Sequence, residues 1–282
     1  MPGRLRVCAT PIGNLEDITA RVLRALREAD LIAAEDTRRA LTLLNHYGIK
    51  TPLVSHHEHN ARESAARIAE RIADGAVVAL VTDAGMPCVS DPGFELIRAA
   101  RELGADIEVC PGASALTAAL AVSGIPAGRF VFDGFPPARG AERGRMFRSY
   151  LSERRAALLF EAPHRLARTL AELADTLGER RAAVCRELTK IHETVHEGTL
   201  VSLAEYFARN EPRGEIVLVI EGAGEESGPD GWSELTPAEH AALYMSRGAS
   251  RGEAAKLVAR DRGVPKREIY RQLLEDTDNE GE

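Results

Sequence analysis

The chain has 282 residues, a formal net charge of −7 and 44% hydrophobic residues, a composition typical of a globular protein long enough for two domains. It contains no run of about 18 apolar residues and no apolar signal segment at its start, which excludes a membrane-spanning helix and favours a cytoplasmic location. Its four cysteines are scattered without a C-x-x-C pair, and its acidic average charge counts against nucleic acid as a partner.

The first part of the chain, residues 1–124, alternates short apolar strands with helical patterns and is predicted to form an N-terminal α/β domain. The predicted strands are Arg6–Thr10, Leu31–Glu35, Leu53–Ser55, Val77–Thr82 and Ile107–Pro111. The predicted helices are Ile18–Ala29, Arg38–Tyr47, Ala61–Gly75, Phe94–Leu103 and Ser114–Val122. This alternation is typical of βαβ units, so we expect a mostly parallel sheet in which Val77–Val81 is central.

Residues 125–222 are predicted to form a second α/β domain. Its predicted strands are Phe130–Asp133, Ala156–Glu161, Ala182–Glu187, Thr194–Thr199 and Glu215–Glu221. Its predicted helices are Glu142–Ser152, Arg165–Leu177 and Ser202–Ala208, the last opening on a capping box of Ser202 and Glu205. Some strands follow one another without an intervening helix, which indicates a mixed sheet.

The end of the chain is predicted to be a small helical module. Residues 223–235 are rich in Gly, Ser, Pro and acidic residues and have the composition of a linker. Within 236–282, capping boxes at Thr236/Glu239 and Ser250/Glu253 and a proline start at Val264-Pro265 predict three helices.

Three loops rich in glycine and proline follow predicted parallel strands. They are TPIGNLEDIT at 10–19, VTDAGMPCVSDPG at 81–93 and CPGASALTAAL at 110–120. The carboxyl ends of parallel strands meet at one sheet edge, so these loops together predict a composite ligand site. Neither G-x-G-x-x-G nor the P-loop pattern occurs, which disfavours a conventional dinucleotide or P-loop site.

Two histidine-containing segments could suggest a metal site. The segment His192–His196 matches H-E-x-x-H, but its strand-like context would hold the two histidines too far apart to grip one ion. The tract His56–His59 is more typical of a loop or of substrate contacts. We therefore expect no metal, and because no G-x-S-x-G motif occurs, a serine hydrolase has no support either.

The loop motifs together resemble a known family. AAEDTR (33–38), FEAPHR (160–165), RELTK (186–190) and RGEIVLVIEG (213–222) accompany the three loops in order. This set resembles the tetrapyrrole methylase-type S-adenosylmethionine-dependent methyltransferases, and most of all a branch that methylates ribosomal RNA. The resemblance implies two α/β domains, usually in a homodimer, with S-adenosylmethionine in the cleft between them. It also implies 2′-O-methylation of a cytidine ribose in the decoding region of 16S rRNA, with the small ribosomal subunit as partner.

The resemblance also assigns the cofactor contacts. Carried over position by position, they are Pro11, Gly13, Asp83, Gly85, Met86, Val89, Ser114, Ala115, Ala162, Leu188 and Gly214. Met86 stands where the family pattern usually has Thr, so a side-chain hydrogen bond at that position is lost while backbone contacts remain possible.

Methyl transfer to a ribose hydroxyl is an in-line displacement that a nearby base would assist. The candidate catalytic residues are Asp36, His59, Glu187 and Lys190. Asp36 or His59 is favoured for proton removal, and Lys190 or Arg38 for holding a phosphate. His164 and Arg165 are predicted to line the cleft and contact RNA.

The charge is unevenly distributed along the chain. Residues 138–168 contain eight Arg and three Glu, and residues 241–274 contain eight Lys or Arg and three acidic residues. Each segment has a net charge of +5, so the remainder of the chain has a net charge of −17. Two basic segments on an acidic chain would form a localised phosphate-binding surface, so the objection to nucleic acid no longer holds. Arg145, Arg148, Lys266 and Arg267 are the predicted contacts.

Two other functions stay open from the sequence. A C-methyltransferase of the same fold could act on a tetrapyrrole, although such an enzyme needs no basic tail. A non-enzymatic regulator could instead use residues 250–274 as a helix-turn-helix that binds DNA.

Overall fold

The computed structural model describes residues 3–224, 235–246, 249–262, 264–265 and 267–269. The strands are β1 (Arg4–Cys8), β2 (Leu31–Ala34), β3 (Leu53–Ser55), β4 (Val77–Val81), β5 (Asp106–Cys110), β6 (Phe130–Phe132), β7 (Ala156–Glu161), β8 (Arg181–Arg186), β9 (Thr194–Thr199) and β10 (Ile216–Ile220). The helices are α1 (Ala20–Glu28), α2 (Thr37–His46), α3 (Ala61–Ala73), α4 (Phe94–Glu102), α5 (Ala115–Val122), α6 (Ala141–Ser149), α7 (Pro163–Leu177), α8 (Leu200–Arg209), α9 (Pro237–Ser246) and α10 (Arg251–Arg262).

The first sheet is parallel throughout and has the strand order β3-β2-β4-β1-β5. Its middle strand β4 is apolar because helices cover both of its faces. Ala79 and Val81 pack with α1 and α2, whereas Val78 and Leu80 pack with α3 and α4. The predicted parallel sheet with a central β4 is thereby confirmed.

The second sheet has the order β6-β7-β10-β8-β9 and is mixed, as predicted. Only the β6–β7 pair is parallel within the described strands, and β7–β10, β10–β8 and β8–β9 are antiparallel. Helices α6, α7 and α8 cover one face around Phe147, Leu170 and Phe207. The other face packs against Leu116 and Ala119 of α5, so that helix joins the two sheets.

The start of α8 differs from the sequence prediction. The helix begins at Leu200, because Thr199 at the end of β9 is its N-cap. The Thr199 hydroxyl accepts a hydrogen bond from the Ser202 backbone at 3.2 Å, and the Ser202 hydroxyl accepts one from the Thr199 backbone at 3.0 Å. The predicted capping box of Ser202 and Glu205 is therefore wrong, because the box lies three residues earlier in the chain.

The tail helices begin where their capping boxes predict. The Thr236 backbone donates to Glu239 Oε2 at 2.7 Å, and the Ser250 backbone donates to Glu253 Oε2 at 3.0 Å. Helices α9 and α10 bury a small alanine-rich cluster between them. Of the third predicted helix, residues 267–269 are helical and its predicted start, Val264-Pro265, is not helical. The rest of that helix lies outside the described residues, as do residues 225–234 of the predicted linker.

None of the helices in the described ranges combines the length and apolar character needed to cross a membrane. The domain boundaries at residues 124 and 222 stay predictions.

Candidate active site

A cavity of about 380 Å³, here called the cleft, lies between the carboxyl edge of the first sheet and the second sheet. The loops after β4 and β5 form one wall, and residues at the ends of β7, β8 and β10 form the other. Its size is that of a small-molecule site. The predicted cofactor residues that line it are Gly85, Met86, Val89, Ser114, Ala115, Ala162, Leu188 and Gly214.

The other predicted cofactor residues lie in a neighbouring hollow, here called the Lys190 recess. Pro11, Gly13 and Asp83 line it together with Lys190. The recess shares Ile12, Ala84 and Glu215 with the cleft, so the two spaces are continuous. The structure thus brings all the predicted cofactor residues to one composite site.

Backbone pairing fixes the first loop against the second. Thr10 and Gly85 form an isolated antiparallel bridge, with N–H···O distances of 2.9 and 3.1 Å. The Thr10 hydroxyl also donates to the Thr82 carbonyl at 3.0 Å. Gly85 adopts φ +85°, a conformation that residues with a side chain rarely adopt.

Backbone strain is concentrated in two loops that face each other across the cleft. In the described part of the chain, the non-glycine residues with positive φ are Cys88, Ser90, Glu187 and Thr189. The first two belong to the loop after β4 and the last two to the loop after β8. Strained backbone of this kind is typical of binding and catalytic sites, where surrounding contacts hold it in place.

The loop after β8 is held by an ion-pair network of partly exposed side chains. Glu187 Oε1 accepts hydrogen bonds from Lys190 Nζ at 2.8 Å and from the Glu215 backbone at 2.9 Å. Lys190 Nζ also lies 3.1 Å from Glu215 Oε2. The hydrogen bond from Lys190 lowers the pKa of Glu187, so this carboxylate is a weak base.

Lys190 extends from the loop after β8 to the loop after β1, which contains Gly13. Partial burial alone would lower the pKa of Lys190, but its hydrogen bonds to Glu187 and Glu215 outweigh that effect and raise it. A Cβ at Gly13 would lie 2.5 Å from Lys190 Cγ. A side chain at position 13 would therefore displace Lys190 from its path across the recess.

Asp36 is the N-cap of α2, where its carboxylate accepts from the Arg38 backbone at 2.9 Å and from the Arg38 guanidinium. The hydrogen bonds from Arg38 hold the pKa of Asp36 well below its usual range. The Asp36 backbone in turn donates to Asp83 Oδ1 at 3.2 Å, which joins it to the recess. Asp36 is thus ionised and a poor proton acceptor.

Asp91 is a cleft residue that the sequence interpretation did not single out. It lies in the strained loop after β4 and lines the cleft. Burial, together with the nearby carboxylates of Glu35 and Asp83, raises the pKa of Asp91 to about 6. The Ser-Asp-Pro-Gly turn of the second loop motif is the signal that could have identified it.

Glu161 forms part of the second wall and is almost completely buried. Its Oε1 accepts from the Ala162 backbone at 2.9 Å and lies 3.2 Å from Arg165 Nε. Arg165 also donates to the Pro136 carbonyl. These contacts give Arg165 a positioning role in the wall, and its contact with RNA stays a prediction.

The other predicted contacts lie outside the cleft lining. His59 is exposed on the short turn after β3, and Arg38 is 89% exposed while paired with Asp36. The further exposed residues with predicted RNA contacts are Arg145, Arg148, His164 and Arg267, whereas Lys266 lies outside the described residues.

The H-E-x-x-H segment is not a helical metal motif. His196 lies in β9, and His192 lies in the turn before it. Within the described ranges, no group of three or more His, Cys, Asp or Glu side chains is arranged to hold a metal ion.

The sequence and the fold match known proteins. The model of the tetrapyrrole (corrin/porphyrin) methylases matches residues 4–204. A ribosomal RNA small subunit methyltransferase I from Halalkalibacterium halodurans is 44% identical over 270 residues, which cover 95% of this chain and 93% of the relative. A protein of the same name from Thermotoga maritima is 45% identical over 220 residues, 78% of this chain and 99% of that relative.

A solved structure shares the fold at low sequence identity. It is a uroporphyrin-III C-methyltransferase from Thermus thermophilus in complex with S-adenosylhomocysteine. It aligns with a TM-score of 0.56 and 19% identity over 78% of this chain and 97% of that one.

Proposed function

Since this chain belongs to the tetrapyrrole methylase family and, within it, to the group of ribosomal RNA small subunit methyltransferase I, we propose that it methylates small-subunit ribosomal RNA with S-adenosylmethionine as methyl donor. The observation that carries the proposal is the composite site: loops from both sheets converge on one cleft of small-molecule size. The ribosomal substrate rests on relatives that are 44–45% identical.

The residues of the cleft suit this cofactor. Ile12, Met86 and Leu188 provide apolar surface for an adenine ring. Asp91 and Glu215 provide carboxyl groups for the sulfonium and ammonium charges of S-adenosylmethionine. Met86 contributes apolar surface but no hydrogen bond, consistent with a loop that binds mainly through its backbone.

When bound, S-adenosylmethionine supplies an electrophilic methyl group. The protein must hold the attacking oxygen in line with it, and the rigid loops on both sides of the cleft are suited to that task. Lys190 keeps its positive charge at the junction of the recess and the cleft, where it is placed to hold a phosphate of the RNA backbone.

A base that removes the proton from the hydroxyl should titrate near neutral pH. Asp91, whose pKa is about 6, meets this condition better than Asp36 or Glu187, whose carboxylates are stabilised by a neighbouring cation. His59 lies outside the residues that line the cleft. In the free protein, Asp91 is therefore the carboxyl group of the site best suited to accept a proton.

The proposal also covers the target atom, the presentation of the nucleotide and the assembly of the enzyme. The 2′-hydroxyl of a cytidine in the decoding region is the target, the nucleotide is presented outside its helical stack, and two copies of the chain form the active enzyme. A 2′-hydroxyl distinguishes RNA from DNA, and RNA is usually read at unstacked nucleotides. No specific observation favours the two alternative functions, methylation of a tetrapyrrole or regulation through DNA binding.

The proposal is tested with the full chain, labelled S-adenosylmethionine and small ribosomal subunits from cells that lack the modification. We expect label in the 16S rRNA of these subunits and little in subunits that already carry the methyl group. No transfer to the unmodified subunits would overturn the proposal.

A further inference from the structure

A second pocket, of about 260 Å³, lies on the second sheet between β9, the end of α8 and the segment 210–213. It is here called the aromatic pocket, and its lining includes Arg186, His196, Tyr206, Phe207, Glu211 and Arg213. None of these side chains takes part in the methyl transfer described above.

Three aromatic rings cluster in this pocket. The ring centroids of His196 and Tyr206 lie 5.0 Å apart with an interplanar angle of 34°, and those of His196 and Phe207 lie 5.3 Å apart. Burial, with a smaller effect from Arg186, lowers the pKa of His196, so its ring is uncharged at neutral pH. Tyr206 is 45% exposed, which leaves part of its ring accessible to a ligand.

Two guanidinium groups border the rings. Arg186 is fixed by hydrogen bonds to Thr194 Oγ1, the Arg213 carbonyl and the His192 carbonyl, each at 3.1 Å. The exposed side chain of Arg213 makes no hydrogen bond or ion pair with the described part of the chain. One cation is therefore fixed at the border of the pocket, while the other is free to meet a phosphate.

The aromatic pocket and the cleft share two segments of backbone. Arg213 borders the pocket, and the next residues, Gly214 and Glu215, line the cleft. Arg186 borders the pocket, and Glu187 follows it in the network that holds Lys190. The cleft lies on the α5 face of the second sheet and the pocket on the α8 face, so RNA held at the cleft would reach the pocket around the sheet edge, along the 213–215 segment.

We propose that the aromatic pocket binds a nucleobase of the RNA that flanks the methylated nucleotide, by stacking on Tyr206 with Arg213 on the adjacent phosphate. This inference rests on the proposed function. Aromatic faces beside guanidinium groups are the chemistry that binds single-stranded RNA, and the volume suits one base. The free cation and the three rings favour a nucleotide over an apolar protein segment.

The test compares Tyr206→Ala with Tyr206→Phe, which keeps the ring, in the labelled transfer assay on unmodified small subunits. Loss of one stacked base should raise the KM for subunits about 5- to 100-fold, whereas Tyr206→Phe should stay within about twofold of the wild type. Binding of S-adenosylhomocysteine, measured by calorimetry, should be the same in all three proteins. Arg213→Gln, a change on an exposed loop, should also raise the KM and should weaken its dependence on salt.

The outcomes separate the two proposals. A wild-type protein that transfers no label would refute the proposed function itself. A wild type that transfers label, with Tyr206→Ala and Arg213→Gln both at the wild-type KM, would refute the pocket alone. Ultraviolet crosslinking of the wild type to unmodified subunits, followed by mass spectrometry, should place RNA on the peptide that contains Tyr206. Crosslinks confined to other surfaces would also contradict the inference.

Discussion

At the scale of single residues, the environment of each carboxyl group decides what it can do. Asp36 and Asp91 both lie in loops at the carboxyl edge of the first sheet. Hydrogen bonds from Arg38 lower the pKa of Asp36, whereas burial among other acids raises the pKa of Asp91 to about 6. Two residues of the same type thus divide into a helix cap and a group that titrates near neutrality.

The pKa of Asp91 makes binding of S-adenosylmethionine pH-dependent. A bound cation favours the ionised carboxylate, so protonation of Asp91 below about pH 6 opposes binding. We expect the Kd to rise roughly tenfold as the pH falls from 7.5 to 5.0. Calorimetric titration of the wild type and of Asp91→Asn measures this Kd. The variant should bind S-adenosylmethionine weakly, with a Kd that changes little between pH 7.5 and 5.0.

Asp74→Asn is the matched control, because Asp74 is exposed at the end of α3. This variant should reproduce the wild-type profile. A wild-type Kd that stays constant between pH 7.5 and 5.0 would contradict the assigned environment of Asp91.

At the scale of elements, the site depends on two strained loops that are braced by contacts across the chain. Glu187 has φ +53° and folds its carboxylate over the backbone at Gly214. Gly214 has φ +86°, and a Cβ there would lie 2.2 Å from Glu187 Cδ. The loop after β8 therefore keeps its shape only with a glycine at the opposing position.

Gly214→Ala should displace Glu187 and loosen its contact with Lys190. We expect a loss of about 1–3 kcal/mol in the free energy of unfolding, from the strained φ and the contact together. Affinity for S-adenosylhomocysteine should fall at least tenfold. Urea unfolding and calorimetry measure the two effects.

Gly128→Ala provides the comparison, since a Cβ at Gly128 has no neighbour within 4 Å. It should change stability by less than about 0.5 kcal/mol. If both alanine variants bind S-adenosylhomocysteine like the wild type, the bracing of this loop plays no part in cofactor binding.

The sequence predicted the elements better than the contacts that complete the site. Short apolar runs located the strands of both sheets, because strands that are covered on both faces need apolar residues at nearly every position. The capping box of α8 was misplaced because Thr199 and Ser202 compete with Ser202 and Glu205 for the same role. The pairing of Glu187 with Gly214 joins residues far apart in the chain, so no local pattern reveals it.

The cofactor contacts were predicted by resemblance, and the structure brings all of them to the cleft and the recess. Asp91 was missed because its altered pKa comes from Glu35 and Asp83, which a sequence does not show as neighbours. His59 lies near a strand end but does not line the cleft, and its role in proton removal stays a prediction.

At the scale of the whole molecule, the distribution of charge matters more than its average. Within the basic segment 138–168, Arg143 is buried against Glu161 and Glu172 and stacks over Phe147. Arg155 and Arg168 are likewise paired with neighbouring carboxylates. The structure thus divides this segment into arginines that stabilise the fold and exposed arginines that are available to phosphates.

Arg145 and Arg148 are exposed on α6 and make no ion pair with the described part of the chain. Changing both to Gln should weaken binding to small subunits and lower the slope of log K against log[salt] by about 1–2. Filter binding between 50 and 200 mM salt measures that slope. The double variant Arg62→Gln, Arg67→Gln, on exposed positions of α3, removes the same charge and should leave the slope unchanged.

A slope that falls equally in both double variants would show that only the overall charge matters. The localised phosphate-binding surface would then be refuted.

The central claim is that the cleft delivers a methyl group to a ribose oxygen of small-subunit RNA. The most direct measurement is to digest the labelled 16S rRNA from the transfer assay to nucleosides and to identify the one that carries the label. We expect 2′-O-methylcytidine from a single position, and little label when Gly214→Ala replaces the wild type. Label on a base, or no label in the RNA of unmodified subunits, would contradict it.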